Sequence, residues 1–339
     1  MRWRRAAGGL ALAVGVVVLL VYGIGWETVT ETVSEAHPGL LAGAILSGLC
    51  MLALRGLVVG RLLAPVQGGA RGNAFVAAYL SGYFARSALP WGRSTGTPIT
   101  AYLLAEGSNS QFEDNLAVVA AAEGFNAIAS VVVAVTGFVV YTAASDSDAL
   151  NAVSAAITVA GIVAVAATVL VVVVFNRGVA RRVVARIAAG GEAILEKLPR
   201  VNDVRGRLTD RIDGFFDTLE TIGASRRALA AAIGIAIASW VFNALPLYLC
   251  LLAVGVDAPL AVALVCAPLA SFGGVVPLPG GSGGIEVVLT ALLVATLGLP
   301  TGVAAGVAVL YRLTTYWTHL VIGGCVASAV SMVGMSRFG

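Results

Sequence analysis

Seven ionisable side chains fall inside or at the edge of long apolar stretches: Arg55, Arg86, Arg93, Glu123, Glu286, Arg312 and His319. A charge at the centre of a bilayer costs about 2.5–3.5 kcal/mol on insertion scales, so each such group needs a partner or a wet cavity. Four arginines against two glutamates leave a positive excess, which suits a phosphate-bearing ligand because the guanidinium fork matches phosphate oxygens. Arg61 reads as an interfacial residue that snorkels to the cytoplasmic surface, and so, on balance, does Arg55. Glu123 with Arg312 and Glu286 with Arg93 are the candidate ion pairs. For these pairs a structural role and contact with a substrate are both open, and one does not exclude the other. Glu286 is equally open as the partner of a buried arginine or as a proton site.

Other chemistry finds little support. His319 stands in "YRLTTYWTH" and reads as a hydrogen-bonded packing residue. Cys50, Cys250, Cys266 and Cys325 are scattered singly with no ligand spacing, so neither a metal site nor a disulfide framework is expected. "GGSGG" lacks the Lys-Ser/Thr that a nucleotide-phosphate loop needs, and no nucleophile elbow is present. No catalytic residue, no cofactor and no nucleic-acid partner is therefore expected; the chain reads as a non-enzyme.

These residues must be positioned by membrane helices. The chain has 339 residues, 59% of them hydrophobic and 12% charged, with a mean hydropathy of +0.94. Several continuous apolar runs exceed the length that crosses a bilayer, which gives an all-α polytopic membrane protein and excludes a barrel. Six full spans are expected at 6–25, 38–62, 114–141, 151–175, 228–254 and 301–333. Two further stretches, 73–106 and 259–298, are broken near their middles by Pro and Gly. Arg2, Arg4 and Arg5 precede the first span, and Glu27, Glu31 and Glu35 follow it. The loop 176–227 carries eleven Lys or Arg against seven acids. The positive-inside rule then puts both termini in the cytoplasm, provided that each broken stretch is a hairpin, whether re-entrant or fully spanning.

Within that loop, Leu208, Ile212, Phe215, Leu219 and Ile222 recur on one helical face. The face reads either as a helix packed under the bundle or as a patch attracted to anionic lipid. The whole chain is one transmembrane domain with an extra N-terminal span and outer loop at 1–37. A first repeat at 38–141, a linking span at 151–175, cytoplasmic helices at 176–227 and a second repeat at 228–333 complete it.

The repeat emerges from comparing "LPWGRSTGTPITAYLL" (89–104) with "LPGGSGGIEVVLTALL" (278–293). Counted from Pro90 and Pro279, Thr97 and Glu286 both fall at plus seven, and Glu123 and Arg312 at plus thirty-three. Span, broken hairpin, span recurs with opposite orientation, the sequence pointer to an inverted-repeat transporter with its site near the midplane. Gly280, Gly281, Gly283 and Gly284 would let backbone N–H groups approach a ligand, and a helix starting near Ile285 would aim its positive end at the tip. The alternative is that Pro and Gly merely allow tight helix crossings.

"PLPGGSGGIE" followed by "AVLYRLTTYW", with "LPWGRSTGTPITAYLL" and "AEGFNAIAS" earlier, resembles the lysylphosphatidylglycerol synthase transmembrane (flippase-like) region family over roughly 38–333. The resemblance implies a stand-alone membrane member without the aminoacyl-transferase domain. It adds Thr97, Asn126 and Tyr311 to the expected substrate-binding set of Arg86, Arg93, Glu123, the four glycines, Glu286 and Arg312. Thr97 stands where an acid is expected, Gly124 where many members carry Arg, and Asn126 where they carry Asp. The function this implies is movement of a phosphate-bearing lipid or polyprenyl-linked carrier between leaflets of the cell membrane, without ATP. An ion-coupled small-anion transporter and a non-transporting scaffold are the alternatives. Expected partners are membrane lipids with anionic headgroups, and beyond these a second copy of the chain or a membrane-associated glycosyltransferase.

Overall fold

The structure is a computed structural model that describes residues 26–89, 92–144, 202–275 and 278–334; the side chain of Arg93 and a few others within these ranges are outside the description. All regular elements among the described residues are helical. A short helix α1 (Trp26–Glu35) precedes α2 (Pro38–Leu63), α3 (Gly72–Ala88), α4 (Gly92–Glu106) and α5 (Phe112–Ala144). Then come α6 (Asn202–Ala224), α7 (Arg226–Ala253), α8 (Leu260–Ala270), α9 (Gly284–Leu297), α10 (Thr301–Arg312) and α11 (Thr318–Val333). Residues 26–35, read above as loop, thus form a helix. It packs on α10, where Gly306 leaves room only for Thr32.

The chain is a multi-pass membrane protein. Among the described residues five helical segments are long and apolar enough to cross a bilayer: Pro38–Leu63, Phe112–Ala143, Arg226–Ala253, Pro279–Leu297 and Thr301–Val333. Four coincide with expected full spans, and the fifth is the second arm of a broken stretch. The expected spans at 6–25 and 151–175 lie outside the described residues, as does the basic segment 176–201.

Among the described residues the most extensive helix pair is α2 against α7. His37 donates its backbone N–H to Ala253 O at 2.8 Å, Ser47 Oγ donates to Phe242 O at 3.0 Å, and Arg55 lies over the Trp240 ring. As one number rises the other falls, so the two helices run antiparallel. The remaining packing exchanges partners in step. Helix α5 packs on α8, the first arm of the second broken stretch, while α11 packs on α3, the first arm of the first.

Both broken stretches are hairpins of short helices. Helices α3 and α4 have 17 and 15 residues, and α8 and α9 have 11 and 14. At roughly 1.5 Å per residue α3, α4 and α8 fall short of a roughly 30 Å hydrocarbon core, and α9 reaches a spanning length only together with the 3-10 entry at Pro279. The second hairpin continues α8 through a 3-10 segment, Ser271–Val275, and enters α9 through another, Pro279–Gly281. Its glycines pack backbone on backbone. A Cβ at Gly273 would strike the backbone of Gly284, and one at Gly281 would meet Gly274 Cα at 2.6 Å.

Two apolar cores flank a polar middle. One gathers Val58, Leu62, Val118 and Ala236, and the other Ala44, Leu247, Leu289 and Leu310. Along α2 and α7 the handover between them falls at Met51 to Arg55 and at Trp240 to Asn243, and there the cavity opens. Below the first core, α6 lies against α5 with Ile222 fully buried and Thr218 Oγ1 donating to Asp114 Oδ1 at 2.5 Å. Its apolar face thus packs onto the underside of the bundle. Of the expected face, Ile212, Phe215, Leu219 and Ile222 are described, and the Leu208 side chain lies outside the description.

Candidate functional site

Helix α9 starts where Gly283, with φ of 84°, ends the loop, and this places Glu286 in the first turn. Glu286 Oε2 accepts the Gly283 N–H at 2.7 Å, and Oε1 accepts Arg312 Nε at 3.0 Å. Arg312 Nη2 donates to Gly280 O at 2.8 Å, and its guanidinium lies 4.1 Å from the centre of the Tyr316 ring. Both side chains of the pair are almost fully buried, at 8% and 1% exposed. The carboxylate therefore satisfies a helix N-terminus and a buried cation together.

The expectation of an anion seat at the glycine tip changes here. The N–H groups of Gly281, Ser282 and Gly283 bond to Leu278 O, Pro279 O and Glu286 respectively. The anion at the start of α9 is the protein's own. The glycines supply close approach instead: Gly280, at φ of 60°, leaves room for the Tyr316 ring, which a Cβ would overlap.

The partner assignments also change. Glu123 pairs with Arg86, and Glu286 with Arg312, so each pair joins a hairpin to the following span within one half of the chain. The expected pair of Glu123 with Arg312 would have crossed between the halves, and the Arg93 side chain of the other expected pair lies outside the described residues. Sequence spacing marks depth in the membrane, and depth alone does not say which neighbouring helix is within reach.

Tyr316 belongs to a π-helical turn, Leu313–Trp317, between α10 and α11. The extra residue in that turn re-aims the side chains that follow Arg312. Tyr316 Oη donates to Ser87 O at 3.0 Å, in the last turn of α3, so one side chain touches both hairpins. His319 is buried as expected of a packing residue. Its Nε2 donates to Gly48 O at 2.9 Å, and its ring meets Tyr83 edge-on.

Between the hairpin tips lies a cavity of about 340 Å³. Arg55, Arg86 and Arg312 line it, with Tyr311, Gly280 and Gly281 of the expected residues. Arg55 enters from α2 with its guanidinium 5.1 Å from the centre of the Trp240 ring, so it does not snorkel; Arg61, at the helix end, is exposed. A second cavity of about 30 Å³ adjoins the first, sharing Arg55, Tyr83 and Arg86. It gathers Thr97, Glu123 and Asn126. Gly283 and Gly284 line neither cavity, and the Arg93 side chain is outside the described residues. Among the described residues no cluster of His, Cys, Asp or Glu could hold a metal ion.

Residues 7–323 match the family described as the lysylphosphatidylglycerol synthase TM region. The chain belongs to that family. A UPF0104 membrane protein of Methanothermobacter thermautotrophicus is 25% identical to this lysylphosphatidylglycerol synthase TM-region member over 324 residues, 93% of each chain. A second match, to a protein of the same description and organism, is 28% identical over 141 residues, 40% of this chain and 42% of its own.

Arg55, Tyr83, Trp240, Asn243 and Tyr316 also line the cavity without having been singled out as binding residues from sequence. Arg55 carried the signal of a charge in an apolar stretch, and Tyr83, Trp240 and Tyr316 that of aromatic residues with polar tips, which are also ordinary in membrane helices.

Proposed function

We propose that this family member translocates a phosphate-bearing amphiphile between leaflets, its headgroup passing through the cavity between the two hairpin tips. The observation that carries the reading is a cavity of about 340 Å³ lined by three arginines, amid helices that cross the membrane. Its volume is in the range of ligand sites. Arg86 and Arg312 are held in place by Glu123 and Glu286 and turn part of their charge to the headgroup. Arg93, Thr97, Asn126 and Tyr311 complete the proposed binding set, and the four glycines give the second tip its close-packed shape. The chain is proposed to act without ATP and without chemistry of its own, in the cell membrane, with both termini cytoplasmic.

Two features favour a lipid over a small soluble anion. Val275 lines the cavity and is 74% exposed, and Phe272 beside it is 46% exposed. This rim gives tails an apolar exit into the bilayer while the headgroup stays with the arginines. The antiparallel pairing of α2 with α7 and the exchanged packing of the hairpins support the inverted repeat, in which 38–141 and 228–333 are the repeated units and the short hairpins re-enter on the side they left.

Mass spectrometry of lipid retained by the purified protein tests the reading. Selective retention of an anionic phospholipid or polyprenyl phosphate, reduced in Arg312→Ala, is expected. Neutral and zwitterionic lipids at bulk proportions, equal in both proteins, would contradict it.

A further inference from the structure

Three arginines line the large cavity, and their hydrogen-bonding capacity is unequally committed. Arg312 uses Nε on Glu286 and Nη2 on Gly280 O. Arg86 uses Nη1 on Glu123. Arg55 forms an ion pair with no carboxylate among the described residues, and its Nε is buried without a hydrogen-bond partner. A buried, unpartnered donor on a cation is costly, so a native chain that keeps one has a use for it.

Arg55 is placed by contacts from two other helices. Its guanidinium lies over the Trp240 ring, and Trp240 Nε1 donates to Asn126 O at 2.7 Å. Asn126 Oδ1, also buried without a partner, lines the same 30 Å³ cavity as Arg55. That volume has room for one water, which would accept from Arg55 Nε and donate to Asn126 Oδ1. Helices α2, α5 and α7 thus converge on one guanidinium. The Nη groups of Arg55 make no hydrogen bond among the described residues, which leaves them for a forked pair of hydrogen bonds to an oxyanion.

We propose that Arg55, which lines the large cavity, is the residue that grips the anion through its Nη groups, and that Asn126 positions it through a water in the small one. The ligand chemistry is a phosphate oxyanion, carried by a lipid headgroup or free in solution. The proposal rests on the cavity being the anion site of the proposed function. Arg86 and Arg312 then shape the field of the site, and Arg55 supplies the uncommitted hydrogen bonds.

The test is calorimetric binding to the full-length protein in neutral detergent. The probes are dioctanoyl phosphatidylglycerol, dioctanoyl phosphatidylcholine and inorganic phosphate. Wild type and Arg61→Gln are expected to bind the phosphatidylglycerol alike, and Arg55→Gln to bind it about tenfold or more weakly, the loss of one charged, forked contact. Asn126→Leu is expected to weaken binding in the wild-type background and to change nothing further in Arg55→Gln. A merely structural role for Asn126 would add its effect in both backgrounds. Binding of inorganic phosphate with the same Arg55 dependence identifies a free anion as ligand, and its failure to bind identifies the lipid; either upholds the role of Arg55. Full affinity in a folded Arg55→Gln overturns this inference and leaves the proposed function standing. No binding of either anionic probe by wild type overturns both.

Discussion

Glu286 of the second hairpin and Arg312 of the following span are joined by a 3.0 Å hydrogen bond, and the carboxylate's other oxygen holds the Gly283 N–H at the start of α9. The pair is therefore more than two opposite charges at the same depth. The carboxylate must be at 286, because only there does it reach the helix N-terminus as well as the guanidinium.

Removing one member of a buried pair leaves the other uncompensated, typically at about 3–5 kcal/mol. Glu286→Gln and Arg312→Ala should both lower thermal stability markedly in detergent. The charge swap Glu286→Arg with Arg312→Glu should fail to restore it, because Gly283 N–H then faces a cation. A swap as stable as wild type would show that the helix-end contact is unimportant.

Gly280 and Gly298 both have positive φ, 60° and 65°, but they differ in surroundings. A Cβ at Gly298 meets nothing within 4 Å, whereas one at Gly280 overlaps the Tyr316 ring. Alanine at 298 should cost about 1–2 kcal/mol for the left-handed backbone alone. Alanine at 280 should cost clearly more and disturb the cavity. Equal melting temperatures for the two variants would argue against a packed Gly280–Tyr316 contact.

Tyr316→Phe keeps the ring against Gly280 and under Arg312 but removes the bond to Ser87 O. A loss of about 0.5–1.5 kcal/mol is expected, with the carbonyl of Ser87 left to find another donor. Faster proteolysis or hydrogen exchange in the last turn of α3 would locate the effect. Unchanged exchange there would show that the two hairpins are not tied through this hydroxyl.

His319 is fixed by its Nε2 donation to Gly48 O, close to where α2 and the π-helical turn meet. Glutamine places an N–H at a similar reach, and leucine does not. His319→Gln should unfold closer to wild type than His319→Leu, which leaves a buried carbonyl unpaired at about 1–3 kcal/mol. The reverse order would contradict this role.

The spans at 38–63, 226–253 and 301–333 were legible because apolar length alone decides them, and the hairpins because Pro and Gly interrupt that length. The pairing of Glu123 with Arg86 was not legible. Residues 37 apart on different helices leave no periodic trace, and plus-thirty-three spacing reports depth rather than contact. Arg55 was misread for a related reason. A mid-helix arginine that snorkels and one that faces a cavity look alike until the opposite helix is known, and here that helix brings Trp240. The glycine tip was half legible: its close packing followed from composition, but Glu286 occupying the helix N-terminus depends on a side-chain rotamer that spacing does not encode.

The most direct measurement follows a fluorescent phosphatidylglycerol in proteoliposomes while a membrane-impermeant reductant bleaches the outer leaflet. Wild type should expose the inner-leaflet pool to bleaching, and Arg55→Gln and Gly280→Ala should slow that exposure about tenfold or more relative to wild type. Bleaching confined to the outer leaflet with wild type, or the same rate in all three proteins, would contradict headgroup passage through the cavity.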